Sequence, residues 1–153
     1  MSPDLIFSMA NGVAFCCWVL LIVLPGRVWI TRRVAGVAVP AALASLYSAI
    51  IAVHFFGSAG GFSSLQDVAL LFSNRWLLLA GWIHYLAFDL LVGAWEARDA
   101  RERGIAHRFL VPCLILTFLF GPAGWLLYLG IRSRASVIAL GVPIGMTETT
   151  TDD

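Results

Sequence analysis

Long apolar runs separated by short polar connectors set the pattern of this chain. Four runs, 5–24, 34–56, 76–95 and 109–131, each hold roughly 20 residues, enough for a helix rising ~1.5 Å per residue to cross a bilayer. The pattern predicts an all-α integral membrane protein. Its membrane domain, 1–131, is a bundle of four transmembrane helices, and 132–153 is a polar, unstructured tail ending in TETTTDD. The connector GSAGGFSSLQDVALLFSNR contains an apolar stretch, 65–72, that is too short to span and is predicted as a short helix at the surface.

An even number of spans puts both termini on one side. The first and third connectors, PGRVWITRR and EARDARERGIAHR, hold Arg27, Arg32, Arg33, Arg98, Arg101, Arg103 and Arg108, whereas the other side holds Arg75, Arg132 and Arg134. That excess predicts cytoplasmic connectors and both termini on the non-cytoplasmic side. Ala41, Ser45, Ala49 and Ala52 recur at three- and four-residue intervals and predict a smooth face for close helix approach. Pro122, in FGPAGW, predicts a kink in the fourth span with a freed carbonyl.

Composition agrees: 60% of the 153 residues are hydrophobic and 12% are charged, about half the charge of a soluble domain. Mean hydropathy is +0.88. A net charge of +1 gives no field for nucleic acid, so no nucleic-acid partner is expected. All ten basic residues are arginine, a compositional bias. Cys16, Cys17 and Cys113 fall in apolar runs without a C-x-x-C framework and are read as buried small apolar residues. The N-terminus, MSPDLIF, has no basic region before its apolar stretch and reads as a retained first span.

The informative residues are the polar ones inside the runs. An aspartate deep in a span costs ~2.5–3.5 kcal/mol on insertion scales and calls for a partner or a function. At ~100° per residue, Trp82, Tyr85, Asp89, Gly93 and Glu96 share one stripe of the third helix. His84 falls with Phe88, Leu91 and Trp95, ~140° from Asp89. One polar layer comprises Asn11, Tyr47, Ser48 and His84, and a second, nearer the cytoplasm, Asp89 and Thr117. The i, i+5 spacing of His84 and Asp89 does not suit a shared metal, so no metal ligands are assigned. Glu96 reads as an interfacial partner for Arg98 or Arg103, or as an acid. His54 and His107 read as solvated edge residues, and ARDARER as charge pairing along one helical turn.

The runs WIHYLAFDLLVGAWEARDA and GIAHRFLVPCLILTFLFGPAGWLLYL resemble the abscisic-acid-deficient-four-like membrane family. W-x-H-Y-L-x-F-D and F-G-P-x-G are the most distinctive motifs, within a block from about Trp76 to Arg132. Plant members are plastid proteins required to make neoxanthin from violaxanthin. The resemblance implies that Trp82, His84, Asp89, Gly121, Pro122 and Gly124 occupy signature positions. The reaction it implies is redox-neutral: an epoxide opens to an alcohol while a neighbouring carbon loses a proton, leaving an allene. It needs an acid and a base and, in principle, no cofactor.

The expectation is therefore a carotenoid-type isomerase in which Asp89, His84 and Glu96 carry the catalysis. Trp82, Tyr85, Asn11 and Trp125 would seat an apolar terpenoid or carotenoid. A second reading is a non-catalytic pigment- or lipid-binding accessory protein, and a third is a membrane metal site completed from other helices. The expected surroundings are membrane lipid in a bacterial inner membrane, with a membrane-enzyme partner or a second copy of the chain.

Overall fold

Capping side chains start the helices where apolar runs begin. The computed structural model describes residues 2–24 and 26–139, with side chains up to 134. Helix α1 (Pro3–Val23) begins at Ser2, whose hydroxyl oxygen accepts the Leu5 N–H at 3.3 Å, and Pro3 fits a first turn that needs no donor. A π-helical segment, Ile30–Ala38, runs straight on into α2 (Val39–His54). The predicted connector helix is α3 (Leu65–Leu71), capped by Ser64 at the Asp67 N–H (3.0 Å). Asn74 caps the long α4 (Arg75–Glu102) by accepting from the Trp76 N–H at 2.9 Å. Helices α5 (His107–Phe120) and α6 (Pro122–Ala139) follow. Every regular element among the described residues is a helix, and none is a strand.

Three helices, Pro3–Val23, Ile30–His54 and Arg75–Glu102, are long and apolar enough to cross a membrane. Half of the apolar stretch of α4 is buried inside the fold, against 28% for α1 and 22% for Ile30–His54, so α4 is the helix around which the others pack. Lipid is as apolar as leucine, so close fit rather than apolar burial has to hold such a bundle together. The indole of Trp18 closes directly over Gly93, and the Arg98 Nη1 donates to the Thr31 carbonyl of the π-helical segment at 2.8 Å. Leu5, Phe15, Val53, Phe56, Phe120 and Leu126 face outward, as a lipid-facing surface requires.

The fourth apolar run, 109–131, does not form one helix. Gly121 has φ +45°, a conformation L side chains avoid, and there the chain reverses. The Gly121 N–H closes α5 on the Thr117 carbonyl at 2.8 Å, and its own carbonyl opens α6 by accepting from Gly124 at 3.1 Å and Trp125 at 3.3 Å. Pro122 has no N–H to lose in the first turn of α6. Gly124 rests directly on the backbone of Thr117, so α6 folds back along α5. The expected kink is a hairpin.

The hairpin changes where the chain ends. At one end of α4, Arg75 pairs with Asp4 of α1 at 2.6 Å. Toward the other end, Asp99 takes the Tyr128 hydroxyl at 2.6 Å and the Arg132 Nε at 2.9 Å, both from α6. The two ends of the described chain therefore lie at opposite ends of α4 rather than together. Helix α6 also continues past Arg132, where the tail was expected to start, to Ala139. The rest of the tail lies outside the described residues.

Two further expectations change. Cys16 is exposed, whereas Cys17 and Cys113 are buried. The Ala41–Ser45–Ala49–Ala52 face is exposed rather than packed against another helix among the described residues, with the Ser45 hydroxyl turned back onto the Ala41 carbonyl at 2.8 Å.

Candidate functional site at the hairpin break

Asp89 stands ~20 Å from either end of α4, counted at ~1.5 Å per residue, and the Gly121 reversal packs against it there. A Cβ added at Gly121 would lie 2.8 Å from Asp89 Oδ1. Only glycine lets the broken backbone come this close. The turn brings the start of α6 beside the carboxyl. Asp89 Oδ2 is buried and has no hydrogen-bond partner among the described residues. One turn back on the same face, Tyr85 interacts with the Asp89 carboxyl and donates its hydroxyl to the Phe118 carbonyl at 3.2 Å. Phe118 belongs to the last turn of α5, so both strokes of the hairpin meet this face of α4.

The predicted stripe forms as one surface. The Trp82 ring lies tilted against Tyr85, centroids 5.3 Å apart, and donates its Nε1–H to Asn11 Oδ1 at 3.0 Å. Asn11 in turn donates to the Phe7 carbonyl of its own helix, so it orients Trp82 from α1. Trp82 is 40% exposed and leaves an aromatic edge open to an apolar ligand. Trp125, in the first turn of α6, is equally exposed.

Glu96, two turns beyond Asp89, is 0% exposed. It is not interfacial: it accepts the Thr117 hydroxyl at 3.0 Å, while Arg98 is engaged by Thr31 and Arg103 by Asp99 at 2.9 Å. Thr117 therefore serves Glu96 rather than forming a layer with Asp89. The Asp99–Arg103 pair is the charge pairing expected within ARDARER.

His84 stands apart from this surface. Its ring stacks on Phe88 at 4.6 Å and lies 5.5 Å from the ring of Tyr47 on α2, on the side of α4 turned away from the hairpin. The expected layer of Asn11, Tyr47, Ser48 and His84 is thus split: Asn11 serves Trp82, and Ser48 turns its hydroxyl to the Ala44 carbonyl at 2.8 Å. His54 is not simply a solvated edge, because it stacks on Trp76 at 4.8 Å. His107 is exposed. No group of three His, Cys, Asp or Glu side chains with metal-holding geometry occurs among the described residues.

Sequence reasoning missed the cluster of Tyr128, Arg132 and Asp99, because a straight fourth span sends Tyr128 and Arg132 to the opposite side. The i, i+4 spacing of Tyr128 and Arg132 puts them on one helix face, and an acid in the third connector is the natural partner for that face.

A family model described as ABA DEFICIENT 4-like matches residues 5–128, from α1 into the first two turns of α6. No curated protein and no solved structure matches the chain.

Proposed function

The chain belongs to the ABA DEFICIENT 4-like family, and from that premise we propose that it is a membrane isomerase related to neoxanthin synthesis. Its substrate would be an apolar polyene with an epoxide-bearing end group. The observation that carries the proposal is Asp89: a carboxyl halfway along the central helix, with one oxygen buried and unpartnered beside the hairpin break.

A single carboxylic acid can perform both proton transfers, and the geometry favours Asp89 acting alone over a pair with His84, which faces the other way. One oxygen gives its proton to the epoxide oxygen as the C–O bond breaks, leaving an alcohol. The other oxygen takes the proton of the neighbouring carbon, and the C–H electron pair becomes the new C=C bond of the allene. The carboxyl ends as it began, protonated, and nothing is oxidised or reduced. Tyr85 fixes the carboxyl on one side, and Trp82, with Trp125 across the break, offers aromatic surface to the polyene. Glu96, sealed under Thr117, anchors α5 rather than touching substrate.

The topology belongs to the same proposal. The α5–α6 hairpin enters the membrane from the arginine-rich side and returns to it. Arg132 and Arg134 then join the seven arginines of the first and third connectors, leaving Arg75 at the opposite face. Non-helical backbone inside a membrane is tolerated only where protein covers it, and α4 provides that cover. A cysteine at Ser2 and one at Ser133, in a chain whose native cysteines are replaced, should label from opposite sides of sealed vesicles. Labelling from the same side overturns the hairpin topology.

The activity is tested by carotenoid profiling in a violaxanthin-producing host with and without the gene. Neoxanthin formed only with the gene supports the proposal; an unchanged profile with the protein present overturns it. A second reading, a pigment-holding accessory protein, is favoured by an apolar groove of about 450 Å³ between α1 and α2, lined by Met9, Val13, Ala42 and Leu46 among others. Co-purified pigment without turnover would select that reading.

A further inference from the structure

The far side of α4 holds a second site, separate from Asp89. A pocket of about 260 Å³ lies between α2, α3 and the first half of α4. Its walls are rich in rings: Phe55 and Phe62 stack at 5.8 Å with planes 16° apart, and Phe72 closes against α4 at Gly81. Phe72 can come this near because a Cβ at Gly81 would already lie 3.1 Å from its ring. Flat walls of this kind select flat ligands, since offset-stacked and edge-on contacts between rings are favourable beyond the area they bury.

Two lining side chains are polar, His84 and Tyr47, with ring centroids 5.5 Å apart. Neither gives its side-chain nitrogen or oxygen to another described residue; their recorded contacts are ring to ring. An apolar cavity of ~150 Å³ is enough for benzene, so this one has room for a fused two-ring system. Ligand sites combine apolar walls with a few convergent polar groups, and this pocket has that composition.

We infer that the pocket binds a planar apolar ring carrying an oxygen, of the phenol or quinone kind, with His84 and Tyr47 as its hydrogen-bonding partners. The imidazole can accept from a phenol or donate to a quinone, and the tyrosine hydroxyl can do either. The ring's aliphatic substituents would extend past the exposed edge of His84 into lipid.

The chain has three histidines, which makes the test direct. Full-length protein labelled with ¹⁵N-histidine in lipid nanodiscs is titrated with 1-naphthol, 1,4-naphthoquinone and naphthalene, and the imidazole signals are followed. The His84 signal is identified by its loss in His84→Leu. The expected result is a saturable displacement of the His84 signal by naphthol or naphthoquinone while those of His54 and His107 stay in place. Naphthalene, which lacks the oxygen, should bind about tenfold more weakly, the worth of one hydrogen bond. Tyr47→Phe should weaken the oxygenated probe while leaving naphthalene unchanged. Displacement by naphthol alone makes His84 an acceptor, and by naphthoquinone alone a donor; either supports the site. A His84 signal that neither oxygenated ring moves, or equal affinity for all three probes, overturns it. The outcome does not depend on the isomerase reading, which concerns the opposite face of α4.

Discussion

His84 and Asp89 are five residues apart on one helix and live in different surroundings. The Asp89 face is largely covered, with the edge of Trp82 left open: α1 lies over it through Trp18 on Gly93, and the α5–α6 hairpin at Gly121 and Phe118. The His84 face is open, bordered by rings and without a hydrogen bond to another described residue. Each follows from what packs there. A broken helix brings backbone into close contact on one side, whereas the other meets the Tyr47 ring of α2 and the Phe72 ring that follows α3. A polar residue within a span thus acquires meaning from its neighbours more than from its depth.

Substitutions can sharpen that contrast. The largest effect is expected at Asp89→Asn, which keeps the shape and removes the transferable proton. Neoxanthin formation in the producing host should fall by about 10²–10⁴-fold with unchanged protein level, as for loss of a general acid–base group. Unaltered product would remove Asp89 from the chemistry. Next is Gly124→Leu, whose side chain must enter the Thr117 backbone. Thermal unfolding in detergent should show a loss of about 3 kcal/mol, the upper range for overpacking. Gly12→Leu, where nothing lies within 4 Å of an added Cβ, should lose far less.

A smaller change is expected at Thr117→Val, which leaves Glu96 buried without its hydroxyl donor. The loss should be about 1–3 kcal/mol in the same unfolding measurement. Glu96→Gln keeps an acceptor for Thr117 and should come closer to wild type; a larger loss at Glu96→Gln than at Thr117→Val would assign Glu96 a role beyond anchoring. The smallest change is expected at His84→Leu. With no hydrogen bond to another described residue to lose, its unfolding midpoint should correspond to a shift within about 0.5 kcal/mol. A loss as large as that of Thr117→Val would mean that the open face carries stability after all.

Much of this was legible in the sequence. Apolar run lengths marked the helices, and the 3.6-residue period put Trp82, Tyr85, Asp89 and Glu96 on one stripe and His84 on another. The reversal at Gly121 was not legible as such. F-G-P-x-G carries the ingredients of a break, but hydropathy runs continuously through it, and only the fit of Gly124 on Thr117 turns a break into a return. That single missed turn displaced Tyr128 and Arg132 to the wrong end and hid their pairing with Asp99. Glu96 was misread for a related reason: its distance along the helix suggested an interface, whereas α5 covers it completely.

The hairpin also bears on the order of synthesis. Helices α5 and α6 leave the ribosome after α4, when the face that receives them already exists. A nascent chain ending near Glu102 can place its three long helices but leaves Asp89 and Glu96 uncovered. The final thirty or so described residues close a seam the earlier ones leave open, so chains truncated there should be recognised as unfinished by membrane quality control.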